Sequence, residues 1–301
     1  MVSLIDKAGE ALPPFLLSEP REQTIPLVCA SPHSGREYPS SFIEHSQLDR
    51  QTLRRSEDSF VDEIFAAAPQ IGAPLLCALF PRVYVDANRE PFELDPLMFE
   101  DELPAYANTR SPRVAAGLGT IARVVAGGDD IYAGKLRVDE ALARIERCYR
   151  PYHATLSRLV DITLQHFGCS ILLDCHSMPS ATGPSAGGPA DTDGGRATVD
   201  FVLGDCFGSA CAPIVVETVE AMLRAKGYRV QRNAPYAGGF TTRHYGRPQD
   251  GLHALQIEIN RALYMDERAL ERTHYLPALA HDMRDVLKAL GGLDQRALLE
   301  P

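Results

Sequence analysis

Short runs of apolar residues alternate with longer amphipathic stretches along this chain, and that order leaves few folds open. The runs TIPLVCA (24–30) and SILLDC (170–175) are typical of buried strands, and HALQIEIN (253–260) alternates strictly between apolar and polar side chains. EDSFVDEIFAAA (57–68) and APIVVETVEAMLRAKG (212–227) instead have the apolar spacing of helices. The pattern predicts an α/β protein with a sheet at its centre.

Other segments carry weaker structural signals. Residues 74–89 predict two extended pieces on either side of Pro81, and residues 131–168 predict a helix that is interrupted near Pro151. Residues 266–290 predict an amphipathic helix. The segment 180–196 is rich in Gly, Pro, Ser and Asp, which predicts a flexible loop and a candidate lid.

The composition excludes several classes of protein. The 301 residues, 45% of them hydrophobic, fit one domain spanning 1–301 with a core at about 24–290. The net charge of −10 argues against nucleic acid or an anionic membrane as a partner. The sequence has no membrane-spanning apolar run, and its first residues lack the pattern of a signal peptide, so we expect neither feature. Seven cysteines without a C-x-x-C pair are typical of reduced thiols, so we expect a cytoplasmic protein.

Polar, titratable residues follow the predicted strands at four places. They are His33, the DANR segment at 86–89, Asp174 with His176, and Glu258 with Asn260. In open α/β sheets the ligand site lies beyond the carboxyl ends of the strands, so we expect these side chains to converge.

His33 and His176 are the candidate metal ligands. A zinc enzyme uses about three protein ligands drawn from His and carboxylate and leaves one position for water. Asp174 lies two residues before His176 and points to the same side of a strand, so it is placed to orient the imidazole. The alternatives are a loop histidine bonded to a backbone carbonyl for His33, and a purely structural Asp–His pair for His176.

The third ligand is expected to be a carboxylate, and Glu57 and Asp58 are the candidates. Both stand at the start of the predicted 57–68 helix. Acids in a first helical turn also serve as caps or as partners of the helix dipole, and that alternative stays open.

Glu258 is the candidate general base. On an alternating strand it shares one face with Gln256 and Asn260, and a glutamate facing an activated water accepts its proton. An exposed sheet face is the alternative explanation. A thiol nucleophile at Cys175 is disfavoured because strand neighbours point to opposite faces, which separates it from His176.

Several arginines are placed to bind an acidic substrate. Arg82 and Arg89 flank one predicted strand, and Arg243, Arg247 and Arg261 lie near Glu258 in sequence. A guanidinium holds a carboxylate by two hydrogen bonds, so local arginines allow an acidic protein to bind an anion. For each arginine taken alone, a surface position or a salt bridge is the favoured alternative. The segment PYAGGFTTRHYG (235–246) has the composition of a substrate loop.

Six segments together resemble one known family. They are SPHSGREYP, SEDSFVDEIF, PRVYVDANR, LLDCHSMPS, PYAGGFTTRHYGRP and HALQIEINRALYMDE, which run from about residue 24 to 267. In this order they resemble the N-formylglutamate amidohydrolase family, which is related to zinc carboxypeptidases and aspartoacylases. The resemblance implies a three-layer α/β fold of the zinc-carboxypeptidase (phosphorylase/hydrolase-like) type, with a central mixed β-sheet flanked by helices.

The resemblance also implies roles for individual residues. One zinc ion per chain would be held by His33, an acid and His176, with Glu258 as base and proton shuttle. Asn88 and Arg89 would hold a substrate carboxylate, and Arg82 would polarise the scissile carbonyl. Carboxypeptidases and aspartoacylases use His-x-x-Glu, whereas Arg36 stands three residues after His33 here. The carboxylate ligand is therefore expected from SEDSF, with Asp58 ahead of Glu57.

The expected activity is hydrolysis of N-formyl-L-glutamate to L-glutamate and formate, in histidine degradation. Arg243 is the candidate for the second carboxylate of this substrate. Two alternatives remain: a deacylase for another small N-acyl amino acid or short peptide, and a binding protein that holds its ligand without turnover.

Overall fold

The computed structural model describes residues 13–180 and 199–299. The strands of the main sheet are β1 (Phe15–Ser18), β2 (Leu27–Ser31), β3 (Leu75–Ala78), β4 (Ser170–Met178), β5 (Phe201–Gly204), β6 (Val230–Arg232) and β7 (Leu252–Asn260). Their order is β1-β3-β2-β4-β7-β5-β6. A separate antiparallel pair consists of β8 (Met265–Asp266) and β9 (Glu271–Arg272).

The helices are α1 (Ser40–His45), α2 (Arg50–Arg54), α3 (Val61–Ile64), α4 (Pro112–Ala115), α5 (Val138–Arg144), α6 (Arg150–Phe167), α7 (Pro213–Ala225), α8 (Phe240–Tyr245), α9 (Leu276–Gly291) and α10 (Gln295–Leu299). Short 3-10 turns cover Ala68–Ile71, Pro96–Met98, Pro248–Asp250 and Arg261–Leu263. A central sheet flanked by helices confirms the predicted α/β fold.

The middle of the sheet places polar side chains in register. β4 is parallel to both β2 and β7, whereas β5 is antiparallel to β7, so the sheet is mixed. Asp174 is opposite Gln256, and His176 is opposite Glu258. All nine residues of β4 and of β7 are buried, as expected for central strands covered on both faces. The exposed-face explanation of Glu258 is therefore wrong.

The chain divides into two compact units. Among the described residues, the first comprises 13–17, Pro32–Ser59 and Leu76–Leu156. Its core holds the buried guanidinium of Arg144, which contacts aromatic rings that include Tyr84 at 4.4 Å. The second comprises Ser18–Ser31, Phe60–Leu75, 157–180 and 199–299, and it contains β2, β4 to β7, α7 and α9. The single catalytic domain expected from the sequence stays a prediction.

The helix predicted over 57–68 is much shorter, since α3 begins only at Val61. The Asp58 N–H donates to the carbonyl of His33 at 3.0 Å, and Phe60 has a left-handed backbone with φ of 67°. A helix cannot extend through a residue with this hydrogen bond or through one with this backbone angle, so Glu57 and Asp58 lie before α3. The alternative explanation, that both acids stand in the first turn of this helix, is therefore wrong.

The second extended piece predicted after Pro81 is also wrong. The N–H groups of Tyr84 and Val85 both donate to the carbonyl of Pro81, which makes a turn. The residues Asp86 to Arg89 therefore lie in a series of turns rather than at the end of a strand. Alternating apolar residues here line a folded loop instead of a pleated face.

The helix predicted over 131–168 begins only at Val138, and the predicted interruption is a π turn over Ile145–Tyr149 just before Pro151. Pro151 has no N–H to donate to the preceding turn, and the wider turn accommodates that loss. The helix predicted over 266–290 begins at Leu276, because Asp266 instead accepts from the N–H groups of Arg268 and Ala269 in a tight turn.

None of the seven cysteines, which all lie within the described residues, forms a disulfide bond, and all but Cys206 are buried. None of the helices in residues 13–180 and 199–299 is long and apolar enough to cross a membrane. The Gly-rich segment predicted over 180–196 lies, from residue 181 onward, outside the described residues.

Candidate metal centre and active site

His33 lies just after β2 and is held between two carboxylates. Its side chain is 2% exposed. Nε2 lies 2.7 Å from Oδ1 of Asp86, and Nδ1 lies 3.4 Å from Oδ2 of Asp58. The turn after it requires Gly35, because a Cβ there would lie 2.1 Å from the carbonyl oxygen of Phe80. The imidazole is therefore buried between two carboxylates.

Asp86 was not assigned a role from the sequence. Besides His33, its carboxylate accepts from Nη2 of Arg82 at 2.9 Å and from the N–H of Asn88 at 2.8 Å. Burial would raise the pKa of Asp86, but Arg89, His33 and Arg82 outweigh it and hold that pKa well below its ordinary value. An ionised Asp86 accepts only, so it fixes the proton of His33 on Nε2 and leaves Nδ1 as the ligand atom.

The two acids of SEDSF have different environments. The carboxylate of Glu57 accepts hydrogen bonds from Tyr38, Arg54 and Ser59 at 2.8–3.2 Å. Asp58 instead faces Nδ1 of His33 and has Nη1 of Arg82 at 3.9 Å. Glu57 is thus bonded into its own loop, and Asp58 is the acid directed at a histidine nitrogen.

The pair predicted on β4 is present. Oδ1 of Asp174 lies 3.0 Å from Nε2 of His176, and both side chains are almost completely buried. The strand carries them on the same side because side chains two residues apart share a face. As at His33, a carboxylate at Nε2 leaves Nδ1 as the ligand atom. Cys175 lies between them on the other face, with its Sγ 3.4 Å from the carbonyl of Leu173.

The structure brings His33, Asp58 and His176 together. One ligand atom from each lies within 4.8 Å of the other two, and all three residues are buried. Two imidazoles and one carboxylate are a donor set that zinc uses in catalytic sites. Each imidazole also has an aspartate on its second nitrogen, an arrangement typical of metal-bound histidines. The residues present therefore fit a metal ion of this kind.

Glu258 is buried beside Gln256 on β7. It is 7% exposed, and its Oε1 accepts from Nε2 of Gln256 at 2.8 Å. In the sheet register Glu258 is the neighbour of His176. Asn260 was predicted to share this face, but its side chain bonds to the backbone instead. Its Oδ1 accepts from the Ala262 N–H, and its Nδ2 donates to the carbonyl of Val199.

The predicted substrate-binding residues differ in exposure and in partners. Arg89 donates from Nε to the carbonyl of Leu118 and from Nη1 to that of Asn88, both at 2.8 Å. Asn88 is 4% exposed. The side chain of Arg82 is 24% exposed. Arg243 is exposed on α8 and donates to the carbonyl of Gly238 at 3.2 Å. Their roles toward a substrate stay predictions.

Gln256, which contacts Glu258, is a further residue of this arrangement, and Arg261 follows β7. Arg261 is 6% exposed and its Nε donates to Oγ of Ser177 at 3.2 Å, next to His176 in the chain. The shared face of Gln256 and Glu258 was the sequence signal for the first. Asp86 had a weaker signal, its place in DANR.

Known proteins resemble this chain over most of its length. The family described as N-formylglutamate amidohydrolase matches residues 25–265. Curated N-formylglutamate deformylases of Pseudomonas putida and Pseudomonas aeruginosa are 29% and 28% identical to it, each match covering 88% of this chain and 91% of the relative. The crystal structure of an N-formylglutamate amidohydrolase from Ralstonia eutropha is 40% identical, with a TM-score of 0.84, and the match covers 92% of this chain and 96% of that one. The chain belongs to the N-formylglutamate amidohydrolase family.

Proposed function

We propose that this protein hydrolyses the amide bond of N-formyl-L-glutamate, giving L-glutamate and formate, with one zinc ion as its cofactor. The observation that carries the proposal is the buried group of His33, Asp58 and His176, whose ligand atoms lie within 4.8 Å of one another. Membership of the amidohydrolase family and the names of its relatives support the substrate.

His33, Asp58 and His176 would hold the metal. Zinc in such a site acts as a Lewis acid that polarises a carbonyl and makes a water molecule more acidic. Asp86 and Asp174 would orient the two imidazoles, since each has an oxygen close to Nε2 of its histidine. The other ring nitrogen, Nδ1, is then the atom that each histidine would offer to the metal.

Glu258 is the proposed general base and proton shuttle. It accepts a proton from the attacking water while the water oxygen bonds to the formyl carbon. It then delivers that proton to the amine as the C–N bond breaks, so formate and a free amino group leave. Its burial removes competing water, and the Gln256 amide holds one of its oxygens.

The arginines are proposed to bind the negative charges of the substrate. Arg82 polarises the formyl carbonyl, and Asn88 with Arg89 holds one carboxylate. The Arg89 guanidinium is fixed by the carbonyls of Leu118 and Asn88, which pre-organises it for a planar anion. Arg243 is proposed to hold the second carboxylate from the exposed helix α8.

We further propose that the enzyme works in the cytoplasm, in histidine degradation. The free thiols and the absence of a spanning helix in the described residues are compatible with the first point. The family supports the second.

The test of the proposed mechanism is formate release by Glu258→Gln. This change removes the proton acceptor but keeps the size of the side chain, so we expect zinc binding to remain and kcat to fall by about 10²–10⁴. Glu217→Gln, which makes the same change on the exposed face of α7, serves as the control. Near-normal turnover by Glu258→Gln would remove Glu258 from the base role.

Substrate identity needs a separate comparison. N-formyl-L-glutamate would be assayed beside N-formyl-L-glutamine, N-formyl-L-norvaline and N-acetyl-L-glutamate, which change the side-chain charge or the acyl group one at a time. A kcat/KM highest for N-formyl-L-glutamate supports the proposal. A higher value for another member would instead identify a deacylase for a different N-acyl amino acid.

A further inference from the structure

Two consecutive hydrogen bonds link a loop backbone to the carboxylate of Glu258. The Gly239 N–H donates to Oε1 of Gln256 at 2.7 Å, and Nε2 of Gln256 donates to Oε1 of Glu258 at 2.8 Å. Gln256 is 4% exposed and Glu258 is 7% exposed. One oxygen of Glu258 is thus bonded to the NH₂ group of the Gln256 amide, and the oxygen of that amide is bonded to the Gly239 N–H.

The backbone donor fixes the orientation of the Gln256 amide. A backbone N–H only donates, so the atom of Gln256 that faces Gly239 must be the carbonyl oxygen, and the NH₂ group must face Glu258. The Thr242 hydroxyl lies 3.5 Å from the same Oε1. A donor directed at Glu258 favours its ionised form, which is the form that accepts a proton.

Gly204 of β5 allows the loop to reach Gln256. It is opposite Gln256 in the antiparallel register of β5 and β7. A Cβ at Gly204 would lie 2.7 Å from both the backbone carbon of Ala237 and the nitrogen of Gly238. The Cys206 N–H also donates to the carbonyl of Ala237 at 2.7 Å. The loop backbone is therefore held against the sheet beside Gln256.

We propose that Gln256 is a positioning residue for the base: it holds one oxygen of Glu258 and so fixes the orientation of the carboxylate that exchanges the proton. The inference rests on the proposed role of Glu258. It also gives the segment 235–246 a second task, since the backbone that carries Arg243 also orients the base through Gly239.

Two substitutions separate positioning from simple packing. Gln256→Met keeps the length of the side chain but loses the donor, so kcat is expected to fall by about 10- to 100-fold with little change in KM. Gln256→Glu behaves differently with pH. When protonated it reproduces both hydrogen bonds, and when ionised it repels Glu258. Its activity relative to the wild type is therefore expected to fall as pH rises, whereas the exposed control Gln249→Glu follows the wild type.

A double-mutant cycle tests whether the effect passes through Glu258. In a Glu258→Gln background, Gln256→Met is expected to cost nothing more, and zinc content is expected to stay at the wild-type value in every variant. An equal loss in both backgrounds, or a Gln256→Glu enzyme with the wild-type pH profile, would overturn the positioning role. If Gln256→Met does not fold, Gln256→Glu and Gly204→Ala test the same contact.

The outcomes also distinguish this inference from the proposed function. A zinc-loaded wild type that releases no formate overturns both proposals. An active wild type with an inactive Glu258→Gln variant and ordinary Gln256 variants overturns only the positioning role.

Discussion

His33 and His176 have the same chemical partner but acquire it in different ways. In each, an aspartate oxygen contacts Nε2, at 2.7 Å for His33 and at 3.0 Å for His176. Asp174 is two residues from its histidine on one strand, so the pleat alone brings them together. Asp86 is 53 residues from His33 and lies in a series of turns. The same pair is thus specified once by local geometry and once by the tertiary fold.

The tertiary pair needs more support than the local one. Asp86 also accepts from Arg82 and from the Asn88 N–H. Two side chains hold the turns around Asp86. Nε2 of His153 is 2.8 Å from the carbonyl of Ala87, and the hydroxyl of Tyr149 donates to the carbonyl of Arg89. These contacts replace the rigidity that a strand gives to Asp174.

The largest expected effect comes from removing either histidine. His33→Ala and His176→Ala each delete one of the three proposed ligands, so stoichiometric zinc and formate release are both expected to be lost while the protein stays folded. Zinc content after gel filtration and circular dichroism are the measurements, with the exposed His281→Ala as control. Full zinc in either variant would contradict the ligand set.

The next largest effect separates Asp58 from Glu57. Asp58→Asn removes a proposed ligand charge, so zinc affinity should fall by more than the roughly 10- to 100-fold typical of an outer carboxylate. Glu57→Gln disturbs the bonds to Tyr38, Arg54 and Ser59 instead, which is expected to cost about 1–3 kcal/mol of stability without loss of zinc. Zinc titrations and urea unfolding are the measurements. Loss of zinc in Glu57→Gln but not in Asp58→Asn would make Glu57 the ligand and Asp58 the structural residue.

Asp86→Asn and Asp174→Asn test the comparison itself. Each is expected to weaken zinc by roughly 10- to 100-fold because the histidine loses an oriented, charged acceptor. Asp86→Asn should be the more damaging, since Asp86 also holds Arg82 and the Asn88 N–H. Competition with a chelator measures both, and the exposed Asp139→Asn is the control. A larger loss at Asp174 would show that the tertiary pair is the less important one.

The smallest expected effect concerns His253, a buried histidine with backbone partners. Nδ1 accepts from the Ala212 N–H and Nε2 donates to the carbonyl of Leu298. Burial lowers the pKa of His253 below its ordinary value of 6.5, despite the opposing bond to Leu298. The unfolded chain therefore takes up a proton first as pH falls, and stability should decline from about pH 6.5 downward. Urea unfolding at several pH values should show less of this decline in His253→Leu. An unchanged decline would exclude His253 as its source.

The comparison also shows what the sequence was able to predict. The β4 pair, the shared face of Gln256 and Glu258, and the helix predicted over 212–227 depend on periods of two or 3.6 residues, which are local. The link from Asp86 to His33 and the deep burial of His33 depend on contacts between distant segments. The helix predicted over 57–68 begins only at Val61, because the N–H of Asp58 bonds to the carbonyl of His33. Tertiary contact overrode the local pattern there.

The most direct test is formate release from N-formyl-L-glutamate by metal-stripped protein, before and after one equivalent of zinc is added. The account predicts negligible release without metal, tight binding of one zinc ion per chain, and turnover restored by that zinc. Failure to bind zinc, or equal turnover with and without it, would contradict the centre formed by His33, Asp58 and His176.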